Sequence, residues 1–339
     1  MPAEWEHHAA TWLVWPHKLS DWPGRFAPIP WVYGEIVRKL AAGERVRTLV
    51  QSARHEAAAR RVLKDVGARI DRVQFLRWPT DRGWSRDMGP IFVKRGTRRA
   101  IVGFRFNAWA KYPDWRKDTL IAARAARRFR LPLLRAQHQD RDVVLEGGAI
   151  DVNGRGTLLT SEECLLDPKQ QVRNRGFGRA DYERVFQETL GATHTLWLGR
   201  GIVGDDTHGH VDDLARFVAP GTIVACREAR ASDPNYRLLE DNWERLLGAR
   251  LEDGSRPELA ALPMPAPLVF QGRRLPASYA NFYIGNAAVI VPTFNDPADR
   301  HALGLLAELV RDRPVIGINA VELVWGLGTL HCLTQQEPA

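Results

Sequence analysis

The stretch Asp87 to Phe104, DMGPIFVKRGTRRAIVGF, reads as an acidic residue, a Gly-Pro turn, an apolar run, a glycine turn and a second apolar run. That order predicts a β-hairpin introduced by a chemically capable side chain. The plan recurs downstream. Glu146 leads into GGAIDVNGRGTLLTS, His210 into VDDLARFVAPGTIVAC, and Ser278 opens SYANFYIGNAAVIVPTF, while EHHAATWLVWP near the start looks like a fifth, truncated copy. The copies recur at about sixty to seventy residues, a long and approximate period.

Helical patterns fill the intervals: Ile29–Ala42, Glu56–Val66, Thr119–Phe129, Asp181–Leu190, Asn235–Leu247 and Pro297–Val310. Within the third, Leu120, Ala123, Ala126 and Leu131 form the expected apolar stripe, with arginine on the opposite face. Strands alternating with helices give an α/β (α+β) fold. Repeated strand and helix units can close radially, burying a shared core and leaving only short edges. Such closure would bring Asp87, Glu146, His210 and the distant Cys332 to one axis within a single body, residues 1–339.

The 48 basic and 40 acidic residues give a formal charge of +8. That charge is arginine scattered through the chain, without aromatic platforms or a recognition motif, so no nucleic-acid partner is expected. No run is long enough to span a bilayer, so no membrane partner is expected either. The start carries no apolar signal segment, and three cysteines do not make a disulfide framework, so a cytoplasmic location is expected.

The residues able to carry chemistry are few. Asp87 in GWSRDMGPI serves equally as a turn-former or a ligand for a cation, whereas Glu146, at the end of an apolar run, is costly to place without a partner. GDDTHGHVDD supplies Asp205, Asp206, His208, His210, Asp212 and Asp213. As a strand it would put His208, His210 and Asp212 on one face, but no zinc-type spacing accompanies them, and no metal is expected. A nucleophilic reading uses the same residues better. Cys332 follows a turn through Gly326 and Gly328, whereas Cys164 and Cys226 sit in strand-like apolar runs and read as filler. A thiol nucleophile needs an acid/base such as His210, and several carboxylates around it suit a planar cation.

Together MPAEWEHHAATWLVWP, WSRDMGP, LEGGAIDVNGRGTLLTSEECLL, GDDTHGHVD, ASYANFYIGNAAVIVPTFNDPAD and HCLTQQEP resemble the agmatine deiminase and Porphyromonas-type peptidylarginine deiminase family of guanidine-modifying enzymes. The resemblance implies a five-bladed, pseudo-symmetric β/α propeller and a covalent mechanism without cofactor or metal. It implies Cys332 as nucleophile, His210 as general acid/base, Asp87 and Asp212 as guanidinium carboxylates and Glu146 as the acid supporting His210 and the substrate. Trp84, Arg86 and Gly328 would line or brace the pocket. The expected partner is a small guanidine compound, agmatine first; a homodimer is allowed. Free or C-terminal peptidyl arginine is the rival substrate, and a silent guanidine-binding propeller the rival class. For an amine on the substrate tail, Asp213 and Asp205 are the available acids. The chain departs from the family pattern at Leu327 and Thr329, where glycine and asparagine are usual, and at Val321, where arginine is frequent; this points to a reshaped pocket.

Overall fold

A computed structural model describes residues 1–339. Its principal sheets form five units of one plan: an antiparallel pair, a helix, then a strand parallel to the second of the pair. The hairpin Ile91–Arg95 and Arg98–Gly103 is followed by helix Ile121–Phe129 and strand Leu133–Arg135. Asp151–Val152, Thr157–Ser161, helix Arg179–Leu190 and His194–Leu198 repeat it. So do Ala215–Ala219, Thr222–Arg227, helix Asn235–Leu247 and Glu258–Pro263. The next unit is Tyr283–Ile284, Val289–Thr293, helix Ala298–Leu309 and Val315–Asn319.

The apparently truncated copy at the start is completed from the other end of the chain. His8–Val14 pairs antiparallel with Thr334–Pro338, Leu13 opposite Thr334 and Thr11 opposite Gln336. It then pairs parallel with Arg45–Leu49, which pairs with Val73–Leu76, so this unit gains a strand and the extra helix Ala53–Asp65. The strand that closes it begins two residues after Cys332.

Each antiparallel pair is preceded by a short helical turn: Ser85–Met88, Gly147–Ala149, Val211–Asp213, Tyr279–Asn281 and Leu330–Leu333. Each turn packs against the next, and the last against the first. Further out, helix Ile29–Leu40 packs on Val315–Asn319, Ala298–Leu309 on Glu258–Pro263, and Asn235–Leu247 on His194–Leu198, so neighbouring units share their core. No helix is long and apolar enough to cross a membrane.

Local sequence explains the helix limits. Ser52 caps Ala53–Asp65 by accepting from His55 N at 3.2 Å, and Gly191 ends Arg179–Leu190 in the left-handed region at φ 72°. The arginine-rich helix is shifted from the expected stripe. It buries Ile121, Ala122, Ala125 and Ala126, whereas Leu120 and Ala123 face solvent. Leu120 falls in the preceding 3₁₀ turn, which rotates the helix face by a residue.

A carboxylate near the start ties these parts together. Glu4 is 3% exposed. Its Oε2 accepts from Arg86 Nη2 at 2.9 Å and lies 2.9 Å from His331 Nε2, while its Oε1 accepts from Ile284 N at 2.9 Å and is ion-paired with Arg216 Nη2 at 2.9 Å. Burial alone would raise its carboxyl pKa; Arg216, His331 and Arg86 outweigh that and hold it well below the usual range. Glu4→Gln would leave two buried guanidinium groups short of charge, so it is expected to lower stability by roughly 3–5 kcal/mol, read as a drop in the urea midpoint with an unchanged slope.

Candidate active site

The ring of short turns gathers the chemistry-bearing residues. Asp87 lies on the first turn, Glu146 and Gly148 at the second, His210 and Asp212 at the third, Asn281 on the fourth and Cys332 on the fifth. Asp87, Glu146, His210, Asp212 and Cys332 are all buried, from 0 to 6% exposed. Asp87 and Cys332 form part of the wall of a cavity of about 330 Å³, shared with Trp84, Trp109, Tyr112 and Leu327. His210, Glu146 and Asp212 stand behind that wall.

Asp87 is fixed by two donors: Trp109 Nε1 reaches its Oδ2 at 2.8 Å and Gly148 N its Oδ1 at 3.0 Å. Presenting Trp109 requires an unusual turn in which Ala108, Trp109 and Ala110 all have positive φ, 51°, 59° and 52°. For residues bearing a Cβ this costs on the order of 1–2 kcal/mol each. Burial pushes the Asp87 carboxyl up to about 6, with His210 opposing and Asp212 and Glu146 adding to the rise.

His210 stands between two acids. Its Nδ1 is 3.8 Å from Asp87 Oδ1 and its Nε2 3.8 Å from Glu146 Oε2, so both ring nitrogens lack a hydrogen-bond partner. The acids therefore act on it through space. Burial favours the neutral ring, but Asp87, Cys164 and Glu146 outweigh it and hold the imidazolium well above its ordinary pKa. Glu146 accepts from Arg173 Nε at 3.0 Å; burial would raise its carboxyl, yet Arg173 and His210 bring it down to about 2.

The sulfur of Cys332 receives a hydrogen bond from Asn281 Nδ2 at 3.1 Å and lies 3.6 Å from Asp212 Oδ2. Asn281 Oδ1 meanwhile accepts from Thr329 Oγ1, His331 N and Cys332 N at 2.8, 3.0 and 3.3 Å, which fixes the backbone of Cys332. Burial, then Asp212, Asp213 and Asp87, push the thiol well above its usual pKa, so it is protonated at rest. Asp212 Oδ2 accepts from His331 Nδ1 at 2.8 Å, and its Oδ1 is unpartnered.

Several expectations shift. Residues 208–210 are not a strand: His208 has φ 67° and turns outward to Asp167 Oδ2 at 2.9 Å, because positive φ at Gly204 and Gly209 coils the segment. The alternation of His208, His210 and Asp212 onto one face is thereby lost. Trp84 lines the cavity, but Arg86 does not; its guanidinium faces Glu4 and Gln336 behind the turns. Gly326 lines the cavity and Gly328 does not, and both also approach indoles: a Cβ on them would fall 2.5 Å from Trp22 Nε1 and 2.7 Å from Trp84, the latter also 3.2 Å from Cys332 Sγ. Leu327, between them, also lines the cavity and lies in the left-handed region at φ 70° where glycine is cheaper. Thr329 retains a polar role through Asn281, and Val321 is not part of the cavity wall. Asp205 caps the loop by accepting from Thr207 N and Gly209 N at 2.7 and 2.6 Å, while Asp213 accepts from Asn281 Nδ2 at 3.0 Å; neither lines the cavity.

Sequence reasoning missed Asn281, Arg173 and Gly148. The glycine alone carried a signal, since the pair after Glu146 marks a close approach: a Cβ on Gly148 would lie 2.6 Å from His210 Nδ1 and 2.7 Å from Asp87 Oδ1. Cys164, read as filler, stands beside His210. Ligand atoms of Glu146, Cys164 and His210 lie within 4.8 Å of one another, a donor set a soft divalent ion takes. Arg173, however, already occupies both oxygens of Glu146 and places a fixed positive charge beside them.

The family model of the Porphyromonas-type peptidyl-arginine deiminases matches residues 1–338. The agmatine deiminase of Stutzerimonas stutzeri is 35% identical, with the alignment covering all of this chain and 95% of the relative. Among solved structures, the Enterococcus faecalis agmatine deiminase superposes with a TM-score of 0.90 at 30% identity, covering 100% of this chain and 95% of that one. The C. jejuni agmatine deiminase with substrate bound gives 0.88 at 30% identity, covering 100% and 96%. With its whole length accounted for, the chain belongs to the Porphyromonas-type peptidyl-arginine deiminase family.

Proposed function

We propose that the protein is an agmatine deiminase, hydrolysing the guanidinium group of agmatine to give N-carbamoylputrescine and ammonia, and that residues 1–339 work as one five-bladed catalytic propeller. The observation that carries the reading is that the buried thiol of Cys332 and the carboxylate of Asp87 share the wall of one small cavity, with the unpartnered His210 ring and the free Oδ1 of Asp212 buried behind them. Carboxylates grip a guanidinium by paired hydrogen bonds. Thiol, carboxylates and an acid/base are the groups that guanidine hydrolysis requires.

The substrate cation docks between Asp87 and Asp212. Its charge offsets the acids that keep Cys332 protonated, so the thiol releases its proton to solvent as the cation enters. The thiolate then attacks the central carbon. His210 gives its proton to one nitrogen of the tetrahedral adduct, and ammonia leaves, with the carbon still bound to sulfur as an amidino-thioether cation. The now neutral imidazole takes a proton from water as its oxygen attacks that carbon. Collapse expels the sulfur, which recovers a proton, and frees a neutral urea. Glu146, fixed by Arg173, keeps negative charge beside the imidazolium throughout.

Three outcomes are expected. Cys332→Ala should lower ammonia release from agmatine by about 10⁴-fold or more while the variant still binds agmatine by calorimetry; turnover retained by this variant would sink the mechanism. Gly148→Ala should lower kcat by roughly a hundredfold, because its Cβ must displace His210 or Asp87, at little cost in melting temperature. Asp87 grips the cation only when ionised, and burial holds its carboxyl at about 6. In the free enzyme kcat/KM is therefore expected to fall as pH drops through 6, an acid limb that Asp87→Glu would move.

A further inference from the structure

One carboxylate on the cavity wall has no part in the reaction above. Asp21 ends the short turn Leu19–Asp21, and its side chain is 3% exposed. Its Oδ1 accepts from Arg82 Nη1 at 3.0 Å, while its Oδ2 is buried without any partner. It lines the same cavity as Asp87 and Cys332. A carboxylate oxygen stripped of water and left without a donor is expensive unless something arrives to satisfy it.

Asp206 and Arg82 on the wall are already engaged, while Arg273, half exposed, gives only Nη2 to Asp206. Asp206 accepts from Lys111 Nζ at 2.8 Å, Tyr112 Oη at 2.6 Å and Arg273 Nη2 at 2.9 Å, so two cations already offset its charge. Arg82 gives Nε and Nη2 to Asp114 and Nη1 to Asp21, with its guanidinium carbon 4.2 Å from the Tyr112 ring centroid. It has little left for a substrate carboxylate. The wall also includes Trp84, Trp109, Trp325 and Leu327, a lining suited to methylene groups.

We propose that Asp21 Oδ2 receives the terminal ammonium of the substrate, so that the site recognises a guanidine at one end and an amine at the other. The proposal rests on the deiminase reading and deepens it. The preferred class is aliphatic guanidines ending in a cation; a substrate with a carboxylate beside that cation meets Asp21 with like charge. The Tyr33 hydroxyl is also unpartnered; burial, then Asp21 and Cys332, push its pKa upward. Burial likewise raises the Asp21 carboxyl to about 6 against Arg82 and Lys18, with Asp114 adding to the rise. Those three, the Tyr33 hydroxyl and the Asp206–Arg273 pair on the cavity wall are the charged or titratable groups around it.

The test compares kcat/KM for agmatine with that for n-butylguanidine, which lacks the amine. In Asp21→Asn the preference for agmatine is expected to fall by roughly tenfold or more, the loss appearing in the KM for agmatine, and Asp21→Glu should restore part of it. In the unaltered enzyme the same ratio should fall as pH drops through 6, since protonation of Asp87 affects both substrates alike and cancels. An unchanged ratio in Asp21→Asn overturns the assignment and leaves the deiminase standing. If Asp21→Asn does not fold, a pH-independent ratio in the unaltered enzyme overturns it instead. If neither compound releases ammonia, the deiminase reading fails and this proposal with it.

Discussion

The centre of this protein is a pool of charge withdrawn from water, and everything else is arranged so that the pool balances. Behind the ring of turns Glu4 meets Arg86, Arg216 and His331, Asp151 meets Arg216, and Glu146 meets Arg173. Buried ions cost several kcal/mol each unless paired, so these contacts hold together units far apart in sequence. In front of the ring the balance is left incomplete. Asp212 Oδ1, both nitrogens of His210 and Asp21 Oδ2 lack partners; Asp21 lines the cavity, and His210 and Asp212 stand behind its wall.

The fold was legible because its signal is local and repeated. A turn, an apolar strand, a glycine and a second strand sit side by side in the chain, and four such copies and part of a fifth are enough to suggest closure. The helices fell within two or three residues of their expected limits, since periodic apolar faces are also local. The half hairpin at His8–Val14 gave a truthful clue: its missing partner is the last strand of the chain, which places Cys332 beside the first unit.

The site was only partly legible, for the opposite reason. Asp87, Glu146 and His210 stand out as polar residues introducing apolar strands, and Cys332 as the thiol that follows a glycine turn. Glu4 and Asn281 do not: their meaning lies in partners hundreds or tens of residues away, His331 for one and Cys332 for the other. Arg173 is one arginine among many until Glu146 is seen beside it. The segment around His208 misled because alternation is only a guide where the backbone is extended. Two glycines with positive φ wind it into a loop that sends one histidine outward and the other inward.

The incomplete balance also accounts for how a thiol with a raised pKa can serve as nucleophile. Burial, then Asp212, Asp213 and Asp87, keep Cys332 protonated, which protects it from stray electrophiles and oxidants. The same acids are what a guanidinium neutralises. Binding and activation are then one event: a neutral molecule of the right shape would neither be held nor release the thiol proton. The asymmetry extends to the product. A urea carries no charge, so once the carbon–oxygen bond has formed, the acids lose their counter-ion and Cys332 regains its proton. At the reacting end the site relaxes to a state that favours departure. Any affinity for the product then comes from the far end of the cavity, where an amine persists through the reaction, so a grip there that is too strong would slow release. A single unpaired oxygen on a carboxyl already shared with Arg82 is a moderate anchor, suited to orienting a substrate without trapping its product.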